Sequence, residues 1–415
     1  MTNRAALALP TVGLLGITFL ARANQAVIQT TMPLLGQQRL HFSPSTIGYV
    51  VGGYGLAAAV TARGLSARLS GKQLAIGAIF GLVIMAGASS FFAMSTNSLM
   101  FCVAILTGGI GGGLCFPCLI TIAGHSGSKG AEHSIARYTV AISASVCMGP
   151  LIEFAILNAT HQSLNAAFWS FAPLPIVGAI VCLAIVPRSA VSSIKPGVVT
   201  ADLHEEPIRF DFATLNADQI AKTDPAITKQ AFRLAILVLI ICEIPFGSVI
   251  YFGGLMARHE DHASLAQVAL LFAGYFAISF FARLVFAAKA PINNKVRLAR
   301  ACFVIMIVGT SIAMLTHGIV LLALAMMVLG GGDGLTYTLG LSLVAAYTPA
   351  DKLARANSIF SMVENGSGVI IPPIVGLLAG VIGYRGAIGS MMTTVVIFGI
   401  MAWTSRIEDS PMVGK

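Results

Sequence analysis

Four carboxylates lie inside long apolar stretches of the sequence, where an ionised side chain is costly: Glu153, Glu243, Asp333 and Glu364. Removing a carboxylate from water favours its protonated form, so an acid in such a place can take up a proton on one side of a barrier and release it on the other. We predict that these four residues couple proton movement to function, with Glu243 and Asp333 as the first candidates. The alternative for each acid is a structural hydrogen bond or ion pair between two helices.

One basic and two amide side chains share a face of the first apolar stretch. Gln25 follows Arg22 by three residues and precedes Gln29 by four, which are the spacings of one side of an α-helix. Arg22 is predicted either to bind a carboxylate or phosphate of a small-molecule substrate, or to neutralise a buried acid such as Glu153. The shared face predicts a cavity lining, with a polar seam to a neighbouring helix as the alternative. The predicted substrate-binding residues are Arg22, Gln25, Gln29, Tyr54, Tyr337 and Asn365.

The composition indicates which solvent surrounds these residues. Of the 415 residues, 56% are hydrophobic and 10% are charged, whereas soluble proteins carry about 25% charged residues. The mean hydropathy is +0.86. A lipid bilayer is therefore the predicted partner for most of the surface, and a soluble enzyme is excluded. The net charge of +9 does not indicate nucleic-acid binding, because the basic residues lie between apolar stretches.

Cysteine and histidine patterns predict neither a cofactor nor a metal site. All seven cysteines fall in apolar stretches, and the Cys115–Cys118 pair has no neighbouring strand or second pair, as redox and zinc motifs would require. Packing is the predicted role of these thiols. The segment 258–262, which contains two acids and two histidines, is predicted to be a solvated turn, with a weak cation site as the alternative.

The apolar stretches are long enough for membrane helices, which need about 20 residues each. We predict twelve spans, at residues 9–35, 45–66, 74–95, 98–123, 137–159, 164–186, 232–256, 264–288, 298–316, 318–346, 355–380 and 383–404.

The distribution of Lys and Arg tests this assignment independently, because these residues accumulate in cytoplasmic loops. With both termini placed in the cytoplasm, only Arg39, Arg258 and Arg385 fall on the opposite side. Arg22 and Arg283 fall inside spans, and Arg283 is expected near the cytoplasmic face, where its charged group can extend toward water. The strong bias supports both the number of helices and cytoplasmic termini.

A polar segment divides the chain into two halves of six predicted helices each. We predict an N-terminal bundle over residues 1–186, a cytoplasmic loop over 187–231 and a C-terminal bundle with a short tail over 232–415. The loop is predicted to be a flexible tether, with a regulatory segment as the alternative.

This organisation resembles the major facilitator superfamily. Residues 24–33 (NQAVIQTTMP), with Tyr54 downstream, are similar to the first-helix signature of drug-efflux members. Gly149-Pro150 in the fifth helix is similar to the glycine–proline motif of antiporters. The resemblance covers the whole chain and is stronger in the architecture than in these local motifs.

A third resemblance lies between the second and third helices. Residues 64–72 (GLSARLSGK) keep the glycine spacing and the terminal base of the family's loop motif. By this resemblance the gate-loop residues are Gly64, Arg68, Gly71 and Lys72. Arg68 stands where the family usually has an aspartate, which departs from the usual charge pattern at this gate.

Two glycine-rich segments, residues 108–113 and 330–334, occupy corresponding places in the two halves. Small residues allow membrane helices to approach closely, and paired glycine-interrupted helices are also typical of a binding site at the membrane midplane. Both hypotheses remain open. Segment 108–113 stands where the family usually has a buried arginine.

The resemblance implies an all-α membrane protein of twelve transmembrane helices around a central cavity, in the cytoplasmic or inner membrane of the cell. All the deep charges fall on helices that line this cavity in the family. The predicted function is proton-coupled antiport that exports a small organic compound by alternating access. The alternative is a proton symporter that imports an organic anion held by Arg22. A membrane-embedded enzyme or receptor is the alternative of another class, and a monomer without cofactor is expected.

Overall fold

The computed structural model describes residues 2–125, 131–185, 225–289, 295–315, 317–348 and 350–404. These residues form α-helices joined by short loops, and no strand occurs among them. The helices are α1 (Thr2–Leu40), α2 (Pro44–Gly64), α3 (Lys72–Met94), α4 (Ser98–His125), α5 (Ala131–Ala159), α6 (Leu164–Phe171), α7 (Pro173–Ile185), α8 (Pro225–His259), α9 (Leu265–Lys289), α10 (Lys295–Leu315), α11 (Ile319–Tyr347) and α12 (Ala350–Trp403).

Within the described residues, ten segments are long and apolar enough to cross a membrane. The short helices α6 and α7 share one of them, Leu164–Ile185. The longest, Ile359–Trp403, has 45 residues, whereas one span needs about 20. Gly383, at φ 77°, interrupts the helical backbone of α12, at the junction of the predicted spans 355–380 and 383–404.

The predicted central loop is only partly described. Residues 186–224, which include most of the predicted tether, lie outside the described part of the chain. Helix α8 begins at Pro225, so a helix extends into the segment 225–231 that was predicted to belong to the loop. Proline at this position suits a helix start, because the first backbone N–H groups of a helix have no intrahelical partner.

Helices α1 to α7 form one packed half, and α8 to α12 form the other. In the first half α4 packs on α2 and α3, while α1 packs on α5 and α7. In the second half α11 packs on α8, α9 and α10, while α12 packs on α8 and α10. Helices α4 and α11 are therefore the central packing elements of their halves, and both carry the glycine-rich segments.

The glycines of α4 provide close helix contacts. A Cβ atom on Gly109 would lie 2.6 Å from the carbonyl oxygen of Tyr54, and one on Gly113 would overlap the carbonyl of Ala58. A Cβ on Gly111 would lie 2.9 Å from the backbone nitrogen of Met85 on α3. These separations are shorter than any side chain tolerates, so α4 reaches both neighbours only because glycine has no side chain.

The glycines of α11 repeat this arrangement. Gly330 lies against the carbonyl of Tyr275 on α9, and Gly334 lies one turn further along against the carbonyl of Ser279. Gly332 lies against Met306 on α10. In sequence, the same number of residues separates Gly109 from Gly330, Tyr54 from Tyr275 and Met85 from Met306. The two halves are therefore structural repeats in register, and close packing explains both glycine-rich segments.

The first turn of each half shows the same repeat. His41 and His262 adopt positive φ values of 52° and 53° in the α1–α2 and α8–α9 turns. The next helix then begins with a serine cap in each half. Ser43 accepts a hydrogen bond from the backbone N–H of Thr46 at 3.2 Å, and Ser264 accepts one from that of Gln267 at 3.1 Å. Equivalent turns aim α2 and α9 in equivalent directions.

In the described part of the chain, the halves contact each other mainly through three helix pairs, α1 with α8, α2 with α12 and α5 with α9. Two hydrogen bonds cross between the halves at the end of the molecule that carries the α1–α2 and α8–α9 turns. The Gln37 amide donates to the Tyr384 hydroxyl at 2.6 Å, and the backbone N–H of Ala266 donates to Gln162 Oε1 at 2.8 Å. We call this end the α1–α2 end.

Candidate functional site

Arg22 projects from the middle of α1 toward α4. Its Nη1 donates to Gln25 Oε1 at 2.8 Å, and its guanidinium carbon lies 3.8 Å from the centre of the Phe116 ring. The buried Nε has no hydrogen-bond partner. Among the described residues, no carboxylate lies within ion-pair distance of this guanidinium. The structure therefore gives Arg22 an amide and an aromatic partner, and not the alternative partner Glu153.

The predicted polar face of α1 exists in the structure. Arg22, Gln25 and Gln29 are each half-buried, whereas the residues between them are buried or nearly so. Over this segment, the one partly exposed face of α1 therefore carries the three polar side chains, which we call the polar lining.

Two tyrosines extend the polar lining toward the second half. Tyr54 on α2 is buried, and its hydroxyl faces Gln25 without forming a hydrogen bond of standard geometry. Tyr251 on α8 is buried beside Gln29 and lies in electrostatic range of Glu243. These two uncharged polar side chains therefore continue the polar lining from α1 to α2 and α8.

A pair of carboxylates occupies the second half. Glu243 on α8 and Glu364 on α12 are half-buried and interact electrostatically. Ser367 Oγ lies 2.6 Å from Glu243 Oε2 and 2.6 Å from the main-chain carbonyl oxygen of Glu364. The Tyr337 hydroxyl lies 3.3 Å from Glu364 Oε2 and donates to it. Three predicted site residues are thus brought together around Ser367.

Asp333 forms a separate cluster. Its Oδ2 accepts from Ser279 Oγ at 2.6 Å and pairs with Arg283 Nη2 at 3.2 Å. Its Oδ1 lies 3.2 Å from Cys242 Sγ. The Asp333 side chain is 7% exposed and that of Arg283 is 27% exposed. Arg283 was expected near the cytoplasmic face, where its charged group could extend toward water, but in the structure its guanidinium pairs with Asp333.

Two other predicted residues lie apart from both clusters. Glu153 on α5 is buried and accepts a hydrogen bond from Thr31 on α1. Asn365 is exposed, and its amide donates to the Ser361 carbonyl of its own helix at 2.7 Å. The adjacent Glu364 faces inward, so Asn365 must face another direction on the same helix.

The predicted gate loop follows α2. Ser66 Oγ donates to the Gly113 carbonyl at 2.7 Å, which fastens the loop to α4. Gly71 has φ 49° and ψ −130°, a backbone conformation that favours glycine, whereas a Cβ on Gly64 would meet nothing within 4 Å. Arg68 and Lys72 are exposed. The structure therefore explains one glycine of the motif but not the other.

Sequence analysis missed several contact residues, namely Phe116, Cys242, Tyr251, Ser279 and Ser367. A local signal existed for two of them. Ser367 lies three residues after Glu364, and Ser279 lies four before Arg283, which are same-face spacings on a helix. A serine one helical turn from a charged residue inside a span can therefore be predicted to contribute to the same polar cluster.

The turn at residues 258–262 is not simply solvated, as was predicted. Arg385 pairs with Glu260 at 2.9 Å and with Asp261 at 2.8 Å, and the Asp261 side chain is fully buried. The Gly318 backbone N–H also donates to Asp261 at 2.7 Å. The Arg385 guanidinium therefore occupies the place of the weak cation site that was the alternative prediction for this segment. In the described part of the chain, no group of three or more His, Cys, Asp or Glu side chains is arranged to hold a metal ion.

Comparisons with known proteins agree with this architecture. A family model described as Major Facilitator Superfamily matches residues 14–286 and 244–414. No curated protein matches the chain.

Solved structures share the fold at low sequence identity. A POT family transporter in complex with a thioalcohol-conjugated peptide has a TM-score of 0.73 and 10% identity, over 94% of this chain and 94% of that chain. A bacterial homolog of the human lysosomal transporter Spinster, inward-facing and occupied, has a TM-score of 0.72 and 12% identity, over 97% and 98%. The nucleoside transporter NupG has a TM-score of 0.67 and 16% identity, over 95% and 98%.

The family model spans nearly the whole chain, and the repeated helical halves are consistent with it. The protein therefore belongs to the Major Facilitator Superfamily of membrane transporters.

Proposed function

We propose that this transporter is a proton-coupled antiporter that exports a small organic compound by alternating access between its two halves. The observation that carries the proposal is the Glu243–Ser367–Glu364 cluster, which borders the same lining as Arg22. A titratable group beside a substrate site allows proton and substrate to compete for it, and such competition is what antiport requires.

The geometry around Ser367 supports Glu243 as the proton carrier. A serine hydroxyl has a single hydrogen, and a main-chain carbonyl can only accept. Ser367 lies 2.6 Å from the Glu364 carbonyl oxygen, three residues back along the helix, which is a common acceptor for serine. If Ser367 donates there, its 2.6 Å contact with Glu243 needs a hydrogen from the Glu243 carboxyl. A protonated Glu243 satisfies both contacts.

Asp333 has the opposite character. Arg283, Ser279 and Cys242 can all donate to its two oxygens, so the cluster suits an ionised carboxylate. We therefore propose that Asp333 remains charged and holds Arg283 between α9 and α11. This proposal separates the roles of the two acids that the sequence ranked equally.

The alternating-access part of the proposal uses two six-helix halves with both termini on the cytoplasmic side. The ten candidate spans, the division of Ile359–Trp403 at Gly383 and the addition of α1 support twelve spans. The two bundles proposed to move against each other are residues 1–186 and 232–415. Repeated halves that meet through three helix pairs can rock against each other around a site between them.

A proton symporter that imports an organic anion is the second candidate. Arg22 favours it, because its guanidinium has no carboxylate within ion-pair distance in the described part of the chain. The printed names of the structural neighbours include peptide and nucleoside transporters, and these names do not decide the direction of transport. The expected setting is a cell membrane with a monomeric transporter.

The test is transport in proteoliposomes with an imposed pH gradient, using a panel of organic cations, organic anions and zwitterions. Wild type is expected to move a solute opposite to protons. Glu243→Gln should still exchange solute but lose coupled proton movement, and Glu206→Gln, in the predicted central loop, is the charge-matched control. Solute and protons moving in the same direction would favour the symporter, and normal coupling in Glu243→Gln would remove Glu243 from the mechanism.

A further inference from the structure

We propose that the central site binds a zwitterion, with the substrate carboxylate on Arg22 and the substrate ammonium on Glu364. This inference rests on the proposed transport function, because it names the class of solute that the same site would carry. It follows from how charge is divided between the two halves.

The anionic end of the substrate is assigned to Arg22 because that guanidinium has bonding capacity left over. One nitrogen donates to Gln25, and the ring of Phe116 covers one face. The buried Nε has no partner, and an arginine offers five N–H donors in a planar fork. A carboxylate fits that fork with two parallel hydrogen bonds.

The cationic end is assigned to Glu364 because it is the least satisfied of the acids that the structure describes in the second half. Its Oε2 accepts one long hydrogen bond, of 3.3 Å, from Tyr337, and no described side chain donates to Oε1. No Lys, Arg or His of the described residues lies within ion-pair distance of it. An ammonium group supplies both the charge and the donors that this carboxylate lacks.

The remaining charges of the region cancel within the protein. Asp333 is neutralised by Arg283, and Glu243 is neutral in the proton-loaded state proposed above. One positive group, Arg22, and one negative group, Glu364, then remain. They lie in electrostatic range of each other but do not form a direct ion pair.

A solute of one charge would satisfy only one of these two groups. The other would remain partly desolvated and unpaired, which is unfavourable. A zwitterion pairs both and contacts both halves at once, because α1 and α12 belong to different halves. Gln25 beside Arg22, and Gln29 with Tyr251 in range of Glu243, offer neutral hydrogen bonds to the rest of the molecule.

The same arrangement connects substrate binding to the proton. Of the acids that act on Glu243, Glu364 acts most strongly, so an ammonium at Glu364 also stabilises the ionised form of Glu243. Substrate arrival would then favour release of the proton from Glu243. The other charged groups that act on Glu243 are Asp333 and Arg283, and as an ion pair they oppose each other.

The test measures binding of ω-amino acids to the purified, detergent-solubilised transporter by titration calorimetry. The series 3-aminopropanoate, 4-aminobutanoate, 5-aminopentanoate and 6-aminohexanoate varies the separation of the two charges. Each has two blocked forms, an N-acetyl form without the ammonium and an amide form without the carboxylate. We expect at least one member to bind roughly tenfold or more tightly than both of its blocked forms.

Charge variants assign each end of the ligand. Arg22→Gln should bind the free acid and the amide form equally while still preferring a free ammonium. Glu364→Gln should show the reverse preference, and Glu206→Gln should match wild type. Equal binding of zwitterions and blocked forms, or no binding of any member of the series, would overturn the proposal.

The outcomes separate this proposal from the proposed function. A zwitterion that binds with this charge dependence but whose flux moves no protons would contradict proton coupling and leave the ligand class standing. A singly charged solute that exchanges with protons, without any zwitterion binding, would contradict the ligand class and leave proton coupling standing.

Discussion

The two halves of the molecule share a scaffold but differ in charge. In each half, glycines of the central helix approach the carbonyls of one neighbouring helix: Gly109 at Tyr54, and Gly330 at Tyr275. The spacing between Tyr54 and Tyr275 also separates Arg22 from Glu243. Equivalent positions on α1 and α8 therefore carry opposite charges.

A second pair of equivalent positions also differs in charge. Gly112 directly precedes Gly113 on α4, and Asp333 directly precedes Gly334 on α11. Ala62 stands at the same distance after Tyr54 as Arg283 stands after Tyr275. The second half thus has an internal ion pair where the first half has two small apolar residues. The glycines that both halves share determine how closely the helices approach. The positions at which the halves differ provide the charged groups.

The largest expected effect tests the shared scaffold. Gly113→Leu and Gly334→Leu should each prevent stable folding, because a side chain there overlaps a main-chain carbonyl of the neighbouring helix and the closely packed interior leaves no room for it. Gly64→Ala, in open space, is the control. Monodisperse yield in size-exclusion chromatography measures the effect, and a loss in only one half would contradict the equivalence of the repeats.

The next effect tests the difference between the halves. Asp333→Asn should destabilise the protein by about 3 kcal/mol, because Arg283 then remains partly buried without its counter-charge. The double variant Asp333→Asn with Arg283→Gln should recover much of the loss, since no unpaired charge remains. Thermal unfolding in detergent measures this pair of changes. If the double variant is less stable than the single one by the full cost of a second independent substitution, the two residues do not act as a pair.

A smaller effect is expected where the halves meet. Tyr384→Phe removes the hydrogen bond from Gln37 at the α1–α2 end, and a neutral hydrogen bond of this kind contributes about 1 kcal/mol. Hydrogen exchange at the start of α2 and at the α8–α9 turn should increase. Exchange that rises only within the second half would show that this contact does not hold the halves together.

The smallest effect compares the two serine caps. Ser43→Ala and Ser264→Ala each remove one accepted backbone hydrogen bond, with an expected cost of about 0.5–1 kcal/mol. The Ser43 hydroxyl also contacts the hydroxyls of Ser45 and Thr46, so the shift in unfolding temperature should be at least as large for Ser43→Ala as for Ser264→Ala. A larger shift for Ser264→Ala would show that the two caps are not equivalent.

The fold was largely predictable because its signals are local. The lengths of the apolar stretches predicted the helices, and same-face spacing placed Arg22, Gln25 and Gln29 together on α1. The boundary between the spans 355–380 and 383–404 coincides with the positive-φ residue Gly383. Each of these features depends only on residues that are neighbours along one helix.

The partners of the charged residues were not predictable in the same way. The contact between Ser367 and Glu243 joins α12 to α8, and the pair of Arg283 with Asp333 joins α9 to α11. Neither can be read from one helix, because it depends on how two distant helices are rotated against each other. For the same reason the sequence ranked Glu243 and Asp333 alike, although their surroundings differ.

The most direct test of the account asks whether Glu243 carries a proton. Infrared absorption of the purified transporter distinguishes a protonated carboxylic acid from a carboxylate. We predict a protonated-acid band at neutral pH that loses intensity in Glu243→Gln and keeps it in Asp333→Asn. A band that keeps its intensity in Glu243→Gln but loses intensity in Asp333→Asn would reverse the assigned roles and contradict the account.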